Sequence, residues 1–121
     1  MRACIVAIAL SLAGLAPAAA EEPVKLSGTY DVRGTNFDGS PYGGVAKITV
    51  TTRDTCRIVW DTGAEAVGIC MRNGPAFAAS YVMGKAIGLV IYRIRDDGIL
   101  DGLWTIADTE GHGTELLIPR N

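Results

Sequence analysis

The residues that could do chemistry are few. Cys56 and Cys70 flank a turn-like Asp61-Thr62-Gly63, His112 sits in Gly111-His112-Gly113, and acidic turns occur at Asn36-Phe37-Asp38-Gly39-Ser40 and Asp96-Asp97-Gly98. Two thiols could form a redox or metal pair, but their spacing is not C-x-x-C and no third ligand cluster accompanies them. Mirrored about Gly63, Cys56 and Cys70 fall opposite each other on one face of one hairpin, which predicts a structural disulfide. It closes a loop of about 15 residues, for which chain-entropy models give roughly 3 kcal/mol. His112 as a general base needs a nucleophile or carboxylate beside it in space, and Glu110 and Glu115 are near it only in sequence. An exposed turn histidine explains it with less. Neither acidic turn matches the calcium-loop spacing D-x-[DN]-x-[DN]-G, and β-turns select Asp and Asn for backbone reasons. No catalytic residue, metal ligand or cofactor is expected, and the chain reads as a non-enzyme.

The compartment is written at the start of the chain. Met1-Arg2 precede an apolar run from Ala3 to about Ala16, then Pro17 and Ala18-Ala19-Ala20 before Glu21-Glu22. A basic start, a short apolar run and an A-x-A site predict a secretory signal peptide over residues 1–20, cleaved near Ala20. Cys4 leaves with it. The run is shorter than the ~20 residues a membrane span needs, so the expected product is periplasmic or secreted, with no membrane span. Residues 21–121, about 100 in number, suit a single small domain. In a domain of that size one disulfide contributes visibly to stability. The formal net charge of −2 becomes about −3 once Arg2 is removed, and no basic stripe exists to follow a phosphate backbone. Nucleic acid is excluded as a partner on that ground.

The elements that must position these residues are strands. Glycine recurs through the chain, and β-branched and aromatic runs of strand length alternate with Asp38-Gly39, Asn73-Gly74, Gly84-Lys85 and Asp97-Gly98. Eight strands are predicted, at roughly 24–33, 42–51, 55–61, 65–72, 75–83, 86–95, 99–107 and 113–118. Register can be tested, because a slip of one residue moves every side chain to the other face. Pairing Cys56 with Cys70 sets Ile58 against Gly68 and Trp60 against Ala66. A two-residue Asn73-Gly74 turn then sets Cys70 against Phe77 and Gly68 against Ala79. Gly84-Lys85 sets Tyr81 against Gly88, Ala79 against Val90 and Phe77 against Tyr92. A three-residue Asp96-Asp97-Gly98 loop, with Gly98 left-handed, sets Ile94 against Leu100, Tyr92 against Gly102 and Val90 against Trp104.

One face then collects Leu26, Tyr30, Val32, Ile48, Val50, Ile58, Trp60, Phe77, Tyr81, Val90, Tyr92, Leu100, Trp104, Ile106, Leu116 and Ile118. Aromatic rings opposite glycines allow strong curvature. The all-β meander is therefore expected to close as an eight-stranded up-and-down antiparallel β-barrel, in the general architecture of avidins and short lipocalins, with a two-sheet sandwich as the alternative. So small a barrel is expected to be filled by its own side chains. The alternative is a ligand cup lined by Tyr30, Trp60, Tyr81, Tyr92 and Trp104. On the opposite face, strands one to three present charged and polar residues such as Lys25, Arg33, Lys47 and Arg57. Strands four to seven present Val67, Ile69, Ala78, Val82, Ile87, Leu89, Ile91 and Leu103, an apolar patch suited to a protein interface or a homo-oligomer.

The segments TYDVRGTNFDGSPYGG, CRIVW, GICMRNG and DGLWTIADTEGHGTELLIP together resemble a family of small exported alphaproteobacterial proteins often labelled fibronectin-binding protein. The resemblance spans essentially the whole mature chain, and its most specific part joins GTELL to DG-x-L-x-G-x-W. It implies an adhesin-like role on a host matrix protein, with no defined binding motif to carry over. The expectation is an exported non-enzymatic binding protein with a protein partner. Contact surfaces would be the apolar strands and the Thr35–Pro41 and Asp108–Gly113 loops. The alternatives are a periplasmic inhibitor of a protease or lysozyme, and a small-molecule carrier using the aromatic interior.

Overall fold

The computed structural model describes residues 25–120. The signal peptide over residues 1–20, its cleavage near Ala20, and Cys4 lie outside them. Eight strands follow in order: β1 (Gly28–Thr35), β2 (Pro41–Val50), β3 (Thr55–Asp61), β4 (Glu65–Asn73), β5 (Ala76–Met83), β6 (Ala86–Ile94), β7 (Leu100–Ile106) and β8 (Gly113–Pro119). Each pairs antiparallel with its successor, and β8 returns to β1, closing the barrel. The described residues contain no helix. Closure satisfies the backbone groups that an open sheet would leave along its edges.

Local turn chemistry explains most of the register. The β3–β4 hairpin sets Cys56 opposite Cys70, Ile58 opposite Gly68 and Trp60 opposite Ala66, and the cysteines form a disulfide with Cα atoms 4.9 Å apart. Gly84 takes φ of 60°, and the two-residue turn it opens pairs Tyr81 with Gly88. Gly98 takes φ of 84° and closes a three-residue turn in which Arg95 donates to the Ile99 carbonyl at 2.9 Å. Ile94 accordingly meets Leu100.

Three expectations are corrected. The β4–β5 turn is Gly74-Pro75, so Cys70 meets Ala79 and Gly68 meets Tyr81. An Asn73-Gly74 type I′ turn needs a positive φ at both positions, and Asn73 stays extended while Gly74, with φ of 57°, leads the turn. The slip is of two residues, so every side chain keeps its face. Strand β1 begins at Gly28 and runs to Thr35, later at both ends than 24–33.

The third correction is a slip of one. Leu116 and Ile118 are only half-buried, and Leu117 and Glu115 point inward in their place. Leu116-Leu117-Ile118 is apolar at every position, so alternation within the strand does not decide its face. Pairing with β7 does: Leu100 meets Leu117, Gly102 meets Glu115 and Trp104 meets Gly113. Of the remaining core residues, Val50 is exposed at the strand end, and Trp104 and Ile106 are half-buried near the other end of the barrel. The fully buried centre is made by Tyr92, Phe77, Ile48, Ile58, Leu100, Leu117 and Val90.

Candidate functional site

Antiparallel order places the 36–40, 62–64, 84–85 and 107–112 connections at one end of the barrel. The disulfide, Phe77, Ile94 and Leu100 fill the other end. Near the first end the interior is open. A cavity of about 340 Å³ is walled by Tyr42 from β2, Trp60 from β3, Tyr81 from β5 and Trp104 from β7. Val90 and Glu115 lie deeper, and Asn36, Thr62, Ala64 and Met83 stand at the rim. The expectation of a fully packed interior therefore holds for one half of the barrel only.

Glu115 is the one buried charged or polar residue among those described. Its Oε1 accepts a hydrogen bond from the Tyr42 hydroxyl at 2.9 Å. Its Oε2 accepts from Trp60 Nε1 at 3.1 Å and from the Tyr92 hydroxyl in a very short contact. A carboxylate offers about four lone-pair sites, so these three donors leave it one short of saturation. Burial pushes the Glu115 carboxyl above its ordinary range, against the opposing pull of Tyr92, Tyr42 and Trp60. Burial, and then the nearby carboxylate, raise the phenols in turn: Tyr81 is pushed up to about 12, and Tyr42 and Tyr92 also rise. The phenols therefore remain protonated donors at neutral pH.

The walls are held from behind. The Tyr81 hydroxyl donates to the Thr105 carbonyl at 3.0 Å, and Trp104 Nε1 donates to the Thr114 carbonyl at 3.2 Å. Trp60 and Tyr81 meet edge to face with centroids 5.5 Å apart, and Phe37 from the 36–40 loop tilts onto Trp104 at 4.8 Å. A Cβ on Gly88 would overlap the Tyr81 ring, so the bare backbone there is what lets that ring lie flat against β6.

Of the five aromatic residues proposed for a cup, Trp60, Tyr81 and Trp104 line it. Tyr92 is one layer deeper and serves as a donor to Glu115, with Phe77 packed on it at 5.7 Å. Tyr30 is elsewhere, donating to the Leu26 carbonyl at 2.6 Å. The inward face read from the sequence contains neither Tyr42 nor Glu115, both of which line the cup. Tyr42 has the parity of Ile48 and could have been found by extending the inward face of β2. Glu115 had no such signal, because the 107–112 connection fixes no register between Trp104 and Gly113.

The remaining candidates lie apart from the cup. His112 is exposed in the 107–112 connection, whereas Glu115 faces the interior. Asp38 accepts from the backbone and hydroxyl of Ser40, and Asp97 accepts from Arg95 and from the Ile99 backbone. Both acidic turns thus have local partners. Among the described residues, no group of three His, Cys, Asp or Glu side chains converges as a metal site. No helix among them is long and apolar enough to cross a membrane. Val67, Ile69, Val82, Leu89, Ile91 and Leu103 are all exposed on β4 to β7, with Val67 beside Val82 and Ile91 beside Leu103.

A scan against protein-family models finds no match, and a search of the curated proteins finds none. Among solved structures the chain is similar to a de novo designed fluorescence-activating β-barrel, with a TM-score of 0.66 at 15% identity. The match covers 78% of this chain and 93% of that one. At this identity the likeness concerns the fold: a closed antiparallel β-barrel.

Proposed function

We propose that this is an exported, non-enzymatic binding protein whose barrel cup takes a small organic molecule. The observation that carries the reading is the aromatic-walled cavity of about 340 Å³ with a hydrogen-bonded carboxylate in its depth. Mostly apolar cavities of roughly 300–1,000 Å³ with a few convergent polar groups are the usual form of small-ligand sites. A buried carboxylate is also a poor way to fill a core, since an apolar side chain of similar size would avoid the cost of desolvation. The disulfide is consistent with an extracellular or periplasmic location, which supports export. The test is titration with the neutral dye N-phenyl-1-naphthylamine, read by the emission of Trp60 and Trp104. Saturable binding at one site per chain supports the reading, and a linear, unsaturable response overturns it.

A second reading is favoured by the outer surface. The exposed Ile69 on β4 and Leu89 and Ile91 on β6 suit a protein partner, and the resemblance to proteins labelled fibronectin-binding points to a host matrix protein. Self-association through the same face is a form of this reading. It expects retention on immobilised fibronectin, lost in Ile91→Glu without a change in Tm. Stoichiometric inhibition of a protease or lysozyme in its place would favour the inhibitor role.

A further inference from the structure

Resting on the small-ligand reading, we infer that the cup selects an organic monocation, an ammonium head on a compact apolar body, with the head at Glu115 and the body between the aromatic walls. Among the described residues, Glu115 is the only charged side chain lining the cavity, and its three hydrogen-bond donors, Tyr42, Trp60 and Tyr92, are all neutral. They orient the carboxylate without neutralising it. Beside a carboxylate as buried as Glu115, an opposite charge brought close is worth more than it would be in bulk solvent. The walls act in the same sense. Tyr42, Trp60, Tyr81 and Trp104 surround the cavity, and aromatic faces attract cations, most strongly where the cation is stripped of water. An anionic ligand would meet both the carboxylate and the negative faces of the rings. A neutral ligand would fill the cavity but leave the carboxylate charge uncompensated.

The titratable groups facing Glu115 are Tyr42 from β2, Tyr81 from β5 and Tyr92 from β6, and all three are held in the neutral form. Charge in the cup is therefore governed by Glu115 alone.

The test is calorimetric titration of the purified, disulfide-bonded protein with three probes of one shape: 1-naphthylmethylammonium, 1-naphthylmethanol and 1-naphthoate. The ammonium is expected to bind at least about tenfold more tightly than the alcohol, and the naphthoate more weakly than either. Glu115→Gln should bring ammonium and alcohol to equal affinity. Equal binding of ammonium and alcohol to the wild type, or tightest binding of naphthoate, overturns cation selection and leaves the small-ligand cup standing. Failure of all three probes overturns both. Should Glu115→Gln not fold, the wild type decides the matter across about pH 4 to 8. The ammonium preference should shrink as pH falls and Glu115 takes up a proton, while the alcohol's affinity stays level. A preference unchanged across that range removes Glu115 from the recognition and overturns the inference.

Discussion

The Tyr92 hydroxyl donates to Glu115 Oε2, carrying a hydrogen bond from β6 to β8 past the intervening β7. It joins the packed half of the barrel to the open half. Tyr92→Phe should leave Oε2 with Trp60 as its single donor. A hydrogen bond to a charged group contributes about 1.5–3 kcal/mol, and urea unfolding at neutral pH should show a loss of that order. The Glu115 carboxyl should titrate higher still, which a side-chain carboxyl NMR titration reads directly.

Stability should depend on pH through Glu115 with a definite sign. Its carboxyl is raised in the folded state above the ordinary value of 4.5, so the native protein holds this proton more tightly than the unfolded chain does. Unfolding free energy should therefore fall as pH rises from that ordinary value through the raised one. The slope belongs to the difference between wild type and Glu115→Gln, measured by denaturant titration at several pH values. A wild type that gains stability relative to the variant over this interval would contradict the sign.

Reducing the Cys56–Cys70 disulfide, or replacing both residues with Ala, should lower stability by roughly 3 kcal/mol. The bridge lies at the packed end, between the starting residues of β3 and the last ones of β4. Dye binding in the cup should survive at temperatures where the reduced protein stays folded. Thermal unfolding with and without reductant, paired with the dye titration, checks both statements.

Gly88→Ala should displace the Tyr81 ring. The new Cβ would overlap that ring, and moving it gives up the hydroxyl bond to Thr105 and the edge contact with Trp60. Overpacking of this kind costs about 1–3 kcal/mol. Weaker dye binding and altered Trp60 emission are expected together, and a variant with wild-type stability and affinity would show that Tyr81 does not shape the cup.

Hairpin geometry was legible because it is local. A glycine able to take positive φ at Gly84 or Gly98 sets the turn, the turn sets the register, and the period of two assigns the faces from β3 to β7. Even the misplaced Asn73-Gly74 turn did no harm, since a shift of two residues leaves Phe77 and Tyr81 inside. The exposed apolar residues of β4 to β7 follow from the same parity.

Strand β8 obeys no such local rule. The connection from β7 spans residues 107–112, too long to impose a register by itself, and Leu116-Leu117-Ile118 offers an apolar side chain to either face. By itself the sequence determined the meander, the disulfide and the inward faces of the tightly turned hairpins, because each is set by neighbours along the chain. Only the tertiary structure decided that Glu115 points inward beneath Tyr42 and Trp60. That choice depends on β8 meeting β1 and β7 at once, a contact between distant parts of the chain that exists only when the barrel closes.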